Sequence, residues 1–161
     1  MSVWVVNTSP LVFLGHLGRL ELLRRAGREV CIPRAVVEEI AEKPDAAAHA
    51  VQRACTTWMQ VRPITDHTAV TLVQATLHQG EAEAIVLATE LHAERLVLDD
   101  QEARRFADRC GLKTIGTLGV LLAAKQRGAI PSLREEINAL AALGFHAQPQ
   151  LVAAVLQRAG E

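Results

Sequence analysis

The sequence predicts an α/β fold with a mainly parallel sheet, and three observations predict it. Short β-branched runs alternate with longer helical patterns along the whole chain. Proline, glycine or small polar residues punctuate nearly every junction between them. The 161 residues, 50% apolar and 22% charged, suit one compact domain able to bury about two-thirds of its unfolded surface.

The first strand is read at Val3–Val6 and ends abruptly at Asn7-Thr8-Ser9-Pro10. Leu11, Leu14 and Leu17, then Leu20, Leu22 and Leu23, predict a helical pair with Gly15 and Gly18 near its joint. Glu29–Ile32 is a second strand; Pro33 ends it and suits the first turn of a helix over 34–42. A helical stretch around 46–54 follows, then an edge strand at Met59–Arg62. Asp66 is the expected N-cap of a helix to about His78, and Gly80 separates that helix from the next, Glu81–His92. Arg95–Leu98 is a strand ending in Asp99-Asp100. A helix over Gln101–Cys110 closes at Gly111, as a glycine C-cap should. Lys113–Ile115 is a short strand, Thr117–Arg127 a helix closed by Gly128, and Ser132-Leu133-Arg134-Glu135 has capping-box spacing for a helix to about Leu143. Leu151, Val152, Val155 and Leu156 form the stripe of a last helix expected to dock. Residues 1–161 read as one domain, with a core over 1–128 and a helical extension over 129–161.

Composition excludes several classes. No apolar run approaches the roughly 20 residues of a membrane span, and the N-terminus carries no basic region of a signal peptide. Cys31, Cys55 and Cys110 are odd in number and far apart, which predicts reduced, buried thiols in a cytoplasmic protein. The net charge of −1 rules out a blanket polycation, so nucleic acid would meet a local basic patch. Candidates are Arg24, Arg25 and Arg28, and Arg104, Arg105 and Arg109; ordinary solvated helix ends explain either cluster equally well.

The chemistry lies in polar residues at strand ends, where parallel α/β sheets form their sites. Asn7-Thr8-Ser9 follows the first strand and Asp99-Asp100 the fourth; either alone reads as helix capping. The helix Glu81–His92 shifts the balance. Ala84, Ile85, Ala88 and Leu91 form one face at 100° per residue, and Glu81 falls in its middle, while Glu83 points away. A carboxylate on a buried stripe needs a partner, and no Lys or Arg lies nearby in sequence. On the helix 34–42, Glu39 flanks the inner face and Glu38 points further out. Asn7, Glu39, Glu81 and Asp99 or Asp100 together would offer hard oxygen ligands to Mg2+ or Mn2+, suited to phosphodiester hydrolysis. Thr117 reads first as a helix cap, with contact to the site as the alternative.

The order of "NTSPL" (Asn7–Leu11), "IPRAVVEEI" (Ile32–Ile40), "GEAEAI" (Gly80–Ile85), "LDD" (Leu98–Asp100) and "GTLGVLL" (Gly116–Leu122) resembles the PIN-domain family of small magnesium-dependent ribonucleases, including VapC-type toxins. The resemblance runs from about Val3 to Gly128. It implies a three-layer α/β/α fold, RNA as substrate, an antitoxin partner and a homodimer. It also implies four acids: the second falls on Glu39 (or Glu38), the third on Glu81, and the fourth on Asp99 or Asp100. The first position is Asn7, where most active relatives carry Asp. Asn7 is then the metal-facing residue, Thr8 and Ser9 cap the next helix and reach toward a water or phosphate, and Arg104 and Arg105 are candidate phosphate contacts. The uncharged Asn7 leaves two readings: an RNA-cleaving toxin, or a weakened PIN-like module that binds RNA or protein.

Overall fold

The computed structural model describes residues 1–161. Five strands form one sheet in the order β3-β2-β1-β4-β5: β1 Ser2–Val6, β2 Arg28–Pro33, β3 Met59–Arg62, β4 Arg95–Val97 and β5 Thr114–Ile115. Every pairing is parallel, with Trp4 opposite both Val30 and Arg95. Parallel strands need crossovers, and helices supply them. They are α1 Thr8–His16, α2 Arg34–Ala41, α3 Ala46–Thr57, α4 His67–Val73, α5 Gln79–Glu90, α6 Gln101–Arg109, α7 Thr117–Gln126, α8 Leu133–Ala142 and α9 Pro149–Arg158.

Strand alternation sends successive side chains to opposite faces, and two cores result. Trp4, Val6, Val30, Ile32 and Val97 face α1, α3, α7, α8 and α9. Val5, Cys31 and Leu96 face α4, α5 and α6. The fold is therefore α/β in three layers. The chain builds outward from β1 to β2 and β3, then returns to place β4 on the other side of β1. The sheet's switch point thus lies between β1 and β4, where crevices open beyond the strand ends.

Several expectations change in detail. Leu20–Leu23 forms a 3-10 turn, not a second α-helix, because Gly18, at φ 68°, ends the helical path just before it. Asp66 does cap α4 through the Ala69 amide at 2.9 Å, but α4 stops at Val73 and turns fill the path to His78. Only Cys31 of the three free cysteines is buried; Cys110 is exposed at the end of α6. Burial, followed by a hydrogen bond to Glu29, pushes the Cys31 thiol up to about 12. Of the α9 stripe, Val155 and Leu156 are buried against the core while Leu151 is 50% exposed. No helix is long and apolar enough to cross a membrane.

Candidate functional site

The residues singled out in the sequence converge beyond the carboxyl ends of β1 and β4. The Asn7 amide donates to Val97 O at 3.0 Å, which locks the end of β1 to β4. The Asn7 side chain is 5% exposed. It stands at the N-cap position of α1 without capping it, and its Oδ1 is buried with no hydrogen-bond donor. Such an orphaned acceptor is costly.

Thr8 and Ser9 do not cap α1 as expected. Thr8 Oγ1 donates to Glu39 Oε2 at 2.7 Å, and Ser9 Oγ makes a longer, 3.4 Å contact with Asp99 Oδ2. Both lie in the first turn of α1, so their hydroxyls turn sideways onto the neighbouring acids. Asp99 also receives the Thr117 amide and hydroxyl, each at 2.7 Å. Thr117 is fully buried and stands one residue inside α7, with Gly116 at the cap position. It reaches the site rather than capping its own helix. Asp100 caps α6, accepting from the Ala103 amide at 2.9 Å. The two adjacent acids thus divide the work: Asp99 ties α1 and α7 together, and Asp100 faces Glu81 electrostatically.

Glu81 heads α5 and accepts from the His78 amide at 3.3 Å in a capping box. Burial raises its carboxyl pKa above the ordinary value, and the charges of Asp100 and then Glu39 push in the same direction. No arginine or lysine pairs with it. Glu83 does not point into solvent: its Oε1 accepts the Ala35 amide at 3.2 Å and its Oε2 the Gln79 side chain at 3.1 Å. The reason is that α5 is wrapped on most sides, with Ala82, Ala84, Ile85, Val86, Leu87 and Ala88 all buried. Periodicity assumes one buried face; a helix between the sheet, α2 and α4 has almost no outer face.

Two glycines that carry no chemistry of their own shape the edge. A Cβ on Gly80 would stand 2.7 Å from Glu39 Oε2, 3.6 Å from Thr8 Oγ1 and 3.8 Å from Asn7 Oδ1. A Cβ on Gly116 would meet Arg104 Nη1 at 2.8 Å and Asp99 Oδ1 at 3.1 Å. Each opens one of the sequence motifs, GEAEAI and GTLGVLL, yet only the folded neighbours reveal why the missing Cβ matters. Glu39 is the acid of its pair that reaches this edge. Arg104 reaches it as well, whereas Arg105 is exposed one position further round α6. Beside Thr8 and Glu39, a groove of about 540 Å3 runs outward along Phe13, His16, Lys43 and Leu143.

The donors are uniformly hard oxygen atoms, and the orphaned Asn7 Oδ1 shares the Gly80 edge with Glu39 Oε2. That set fits a divalent cation. The fit is one of donor chemistry, since no three His, Cys, Asp or Glu side chains are grouped so as to hold an ion.

The class that fold and side chains define is a small three-layer α/β domain with an acidic edge at its switch point. The PIN-domain family profile (DUF3368) matches residues 3–161, and the chain belongs to that family. Among solved structures it is similar to a PilT N-terminus domain protein from the hyperthermophilic archaeon Sulfolobus solfataricus P2. The TM-score is 0.53 at 21% identity, over 76% of this chain and 92% of that one. No curated protein matches.

Proposed function

We propose that this chain is a divalent-metal-dependent endoribonuclease, acting as the toxin of a toxin–antitoxin pair. One observation carries the catalytic reading: the buried Asn7 Oδ1, without a donor, stands at the Gly80 edge together with the Glu39 carboxylate. A cation there would give Asn7 its missing partner and would favour the charged Glu81 carboxylate, which burial and then the charge of Asp100 disfavour. Asn7, Glu39, Glu81 and Asp99 or Asp100 would hold it. The chemistry supplied by bound Mg2+ or Mn2+ is activation of water and stabilisation of charge on a phosphate.

The chain's own residues do the rest. The Thr8 hydroxyl orients Glu39, and Thr117 with Ser9 holds Asp99 in one rotamer. Gly80 and Gly116 leave the space that a bulkier residue would take from the acids. Arg104 is the cation that would meet an RNA phosphate at the same edge. The toxin role, the homodimer, the antitoxin partner and action in the cytoplasm rest on kinship with VapC-type members of the family.

A second reading has its own observation. Asn7 brings no charge, and the acids do not close into a cage, which favours a module that binds RNA without cutting it. Incubation with a mixed RNA pool in Mg2+, in Mn2+ and in EDTA separates the two. Cleavage that needs metal and vanishes in Glu81→Gln supports the nuclease; RNA retention without cleavage in either metal supports the binder.

A further inference from the structure

At the opposite end of the sheet, beside the starts of β1 and β2, a pocket of about 390 Å3 brings three arginines against one carboxylate: Arg24, Arg25 and Arg28 with Glu21, walled by Trp58. Five residues of β1 separate it from Asn7, about 16 Å at 3.3 Å per residue. It is distinct from the acidic edge.

Two of the three arginines lie over aromatic faces. The Arg28 guanidinium lies 3.6 Å from the centre of the Trp4 ring, and Arg24 lies 5.3 Å from that of Trp58. Stacking occupies the face of a guanidinium and leaves its N–H edge directed sideways. Trp4 is itself fixed by a 3.1 Å bond from its indole N–H to Glu94. Arg28 donates one N–H to Leu23 O at 3.1 Å, while its Nε is buried without any acceptor. Burial, then the charge of Arg25 and also that of Arg127, hold the Arg28 guanidinium below its ordinary range. Glu21 neutralises little: it pairs with Arg24 at 3.2 Å, but its side chain is 69% exposed.

We propose that Arg24, Arg25 and Arg28 form a second, phosphate-binding site, which takes the phosphate of a nucleotide or of a nucleotide in an RNA strand. A tetrahedral phosphate offers three acceptor oxygens to adjacent guanidinium forks, more than a carboxylate supplies.

Trp4 and Trp58 are the only tryptophans, and both touch this cluster, so intrinsic fluorescence reads the pocket directly. Full-length protein in EDTA and low salt is titrated with inorganic phosphate, adenosine 5′-monophosphate, a cleavage-resistant 2′-O-methyl oligonucleotide and poly-glutamate. A saturable change is expected with the nucleotide probes, weakened about tenfold in Arg25→Ala and further in the Arg24→Ala/Arg25→Ala pair. Arg25→Ala should keep the wild-type melting temperature, and Glu81→Gln should bind normally. Equal affinity for the mononucleotide and the oligonucleotide identifies a free nucleotide as ligand. Binding of the oligonucleotide alone identifies a strand, with the log-log salt slope falling by about 0.7 for each phosphate that a variant no longer neutralises. No saturable change with either nucleotide probe, unchanged affinity in the paired variant, or tighter binding of poly-glutamate would overturn the assignment. None of these readouts requires RNA cleavage, so a failed nuclease assay leaves the result interpretable.

Discussion

Asp99 receives both polar hydrogens of Thr117, the amide and the hydroxyl, each at 2.7 Å. This pair clamps the start of α7 to the end of β4 and sets the rotamer of an acid at the candidate site. Thr117→Val keeps the shape and the amide bond but removes the hydroxyl. Loss of a hydrogen bond to a charged group costs about 1.5–3 kcal/mol. Cleavage should fall about tenfold while the fold persists, with the melting temperature lowered by several degrees. An unchanged rate at a lowered melting temperature would show that Asp99 serves the fold alone.

Asn7→Asp adds a charge at nearly constant volume beside Glu39. In EDTA the variant should melt below wild type, because like charges brought together disfavour ionisation. In Mg2+ it should gain more than wild type does, since the ion prefers charged oxygen. Calorimetric scans with and without Mg2+ measure both signs. Equal metal response in the two proteins would make Asn7 a turn residue and remove it from the site.

Glu81 and Glu83 should respond differently. The folded pKa of Glu81 is raised, so its contribution to stability is complete below the ordinary value of 4.5 and is lost as pH rises through the raised one. In EDTA, the melting temperature of Glu81→Gln relative to wild type should therefore climb between acid and neutral pH. The same variant should lose most of its metal response. Glu83→Gln should keep the metal response and lower stability modestly, because it weakens the bond from the Ala35 amide. A flat difference curve for Glu81→Gln would contradict the raised pKa.

Arg104 reaches the acidic edge and Arg105 does not. Arg104→Ala should weaken RNA binding and reduce the salt slope by about 0.7 for single-stranded RNA; Arg105→Ala should change both less. Filter binding across a salt series in EDTA provides the measurement. Equal effects would point to a diffuse basic field instead of one phosphate contact.

The last helices are joined through Glu161. Its carboxylate accepts the amides of Leu133 and Arg134 and the Ser132 hydroxyl at the start of α8. These bonds, led by that of Leu133, hold its pKa below the usual range. The stabilising effect is present above the ordinary carboxylate value and is lost as pH falls through the depressed one. Glu161→Gln should lower the melting temperature at neutral pH, and the gap should close on acidification. Truncation after Gly144 should cost more, because it also strips Val155 and Leu156 from the core. A truncated protein melting like the full chain would refute the docking.

The sequence by itself determined the alternation of strand and helix, the parallel sheet, and the residues offered at the strand ends. Those features follow from local rules: β-branched runs, helical periodicity, caps, and the tendency of polar groups to collect where strands finish. Glu81 stands out for the same reason, as an acid on an apolar stripe. Tertiary structure alone decided what those groups touch. Thr8 and Ser9 could cap a helix or bind neighbouring acids, and only the approach of α2 and β4 to α1 chose the acids. Asp99 and Asp100 are equivalent in register until α7 supplies Thr117 to one and α6 claims the other as its cap. Periodicity turns Glu83 away from the buried face but cannot see α2, whose Ala35 amide Glu83 meets there. The arginines at 24, 25 and 28 are a run of charge until Trp4 and Trp58, distant in sequence, turn them into a pocket. Local pattern encodes which groups are presented; the contacts that give them partners form between segments far apart in the chain.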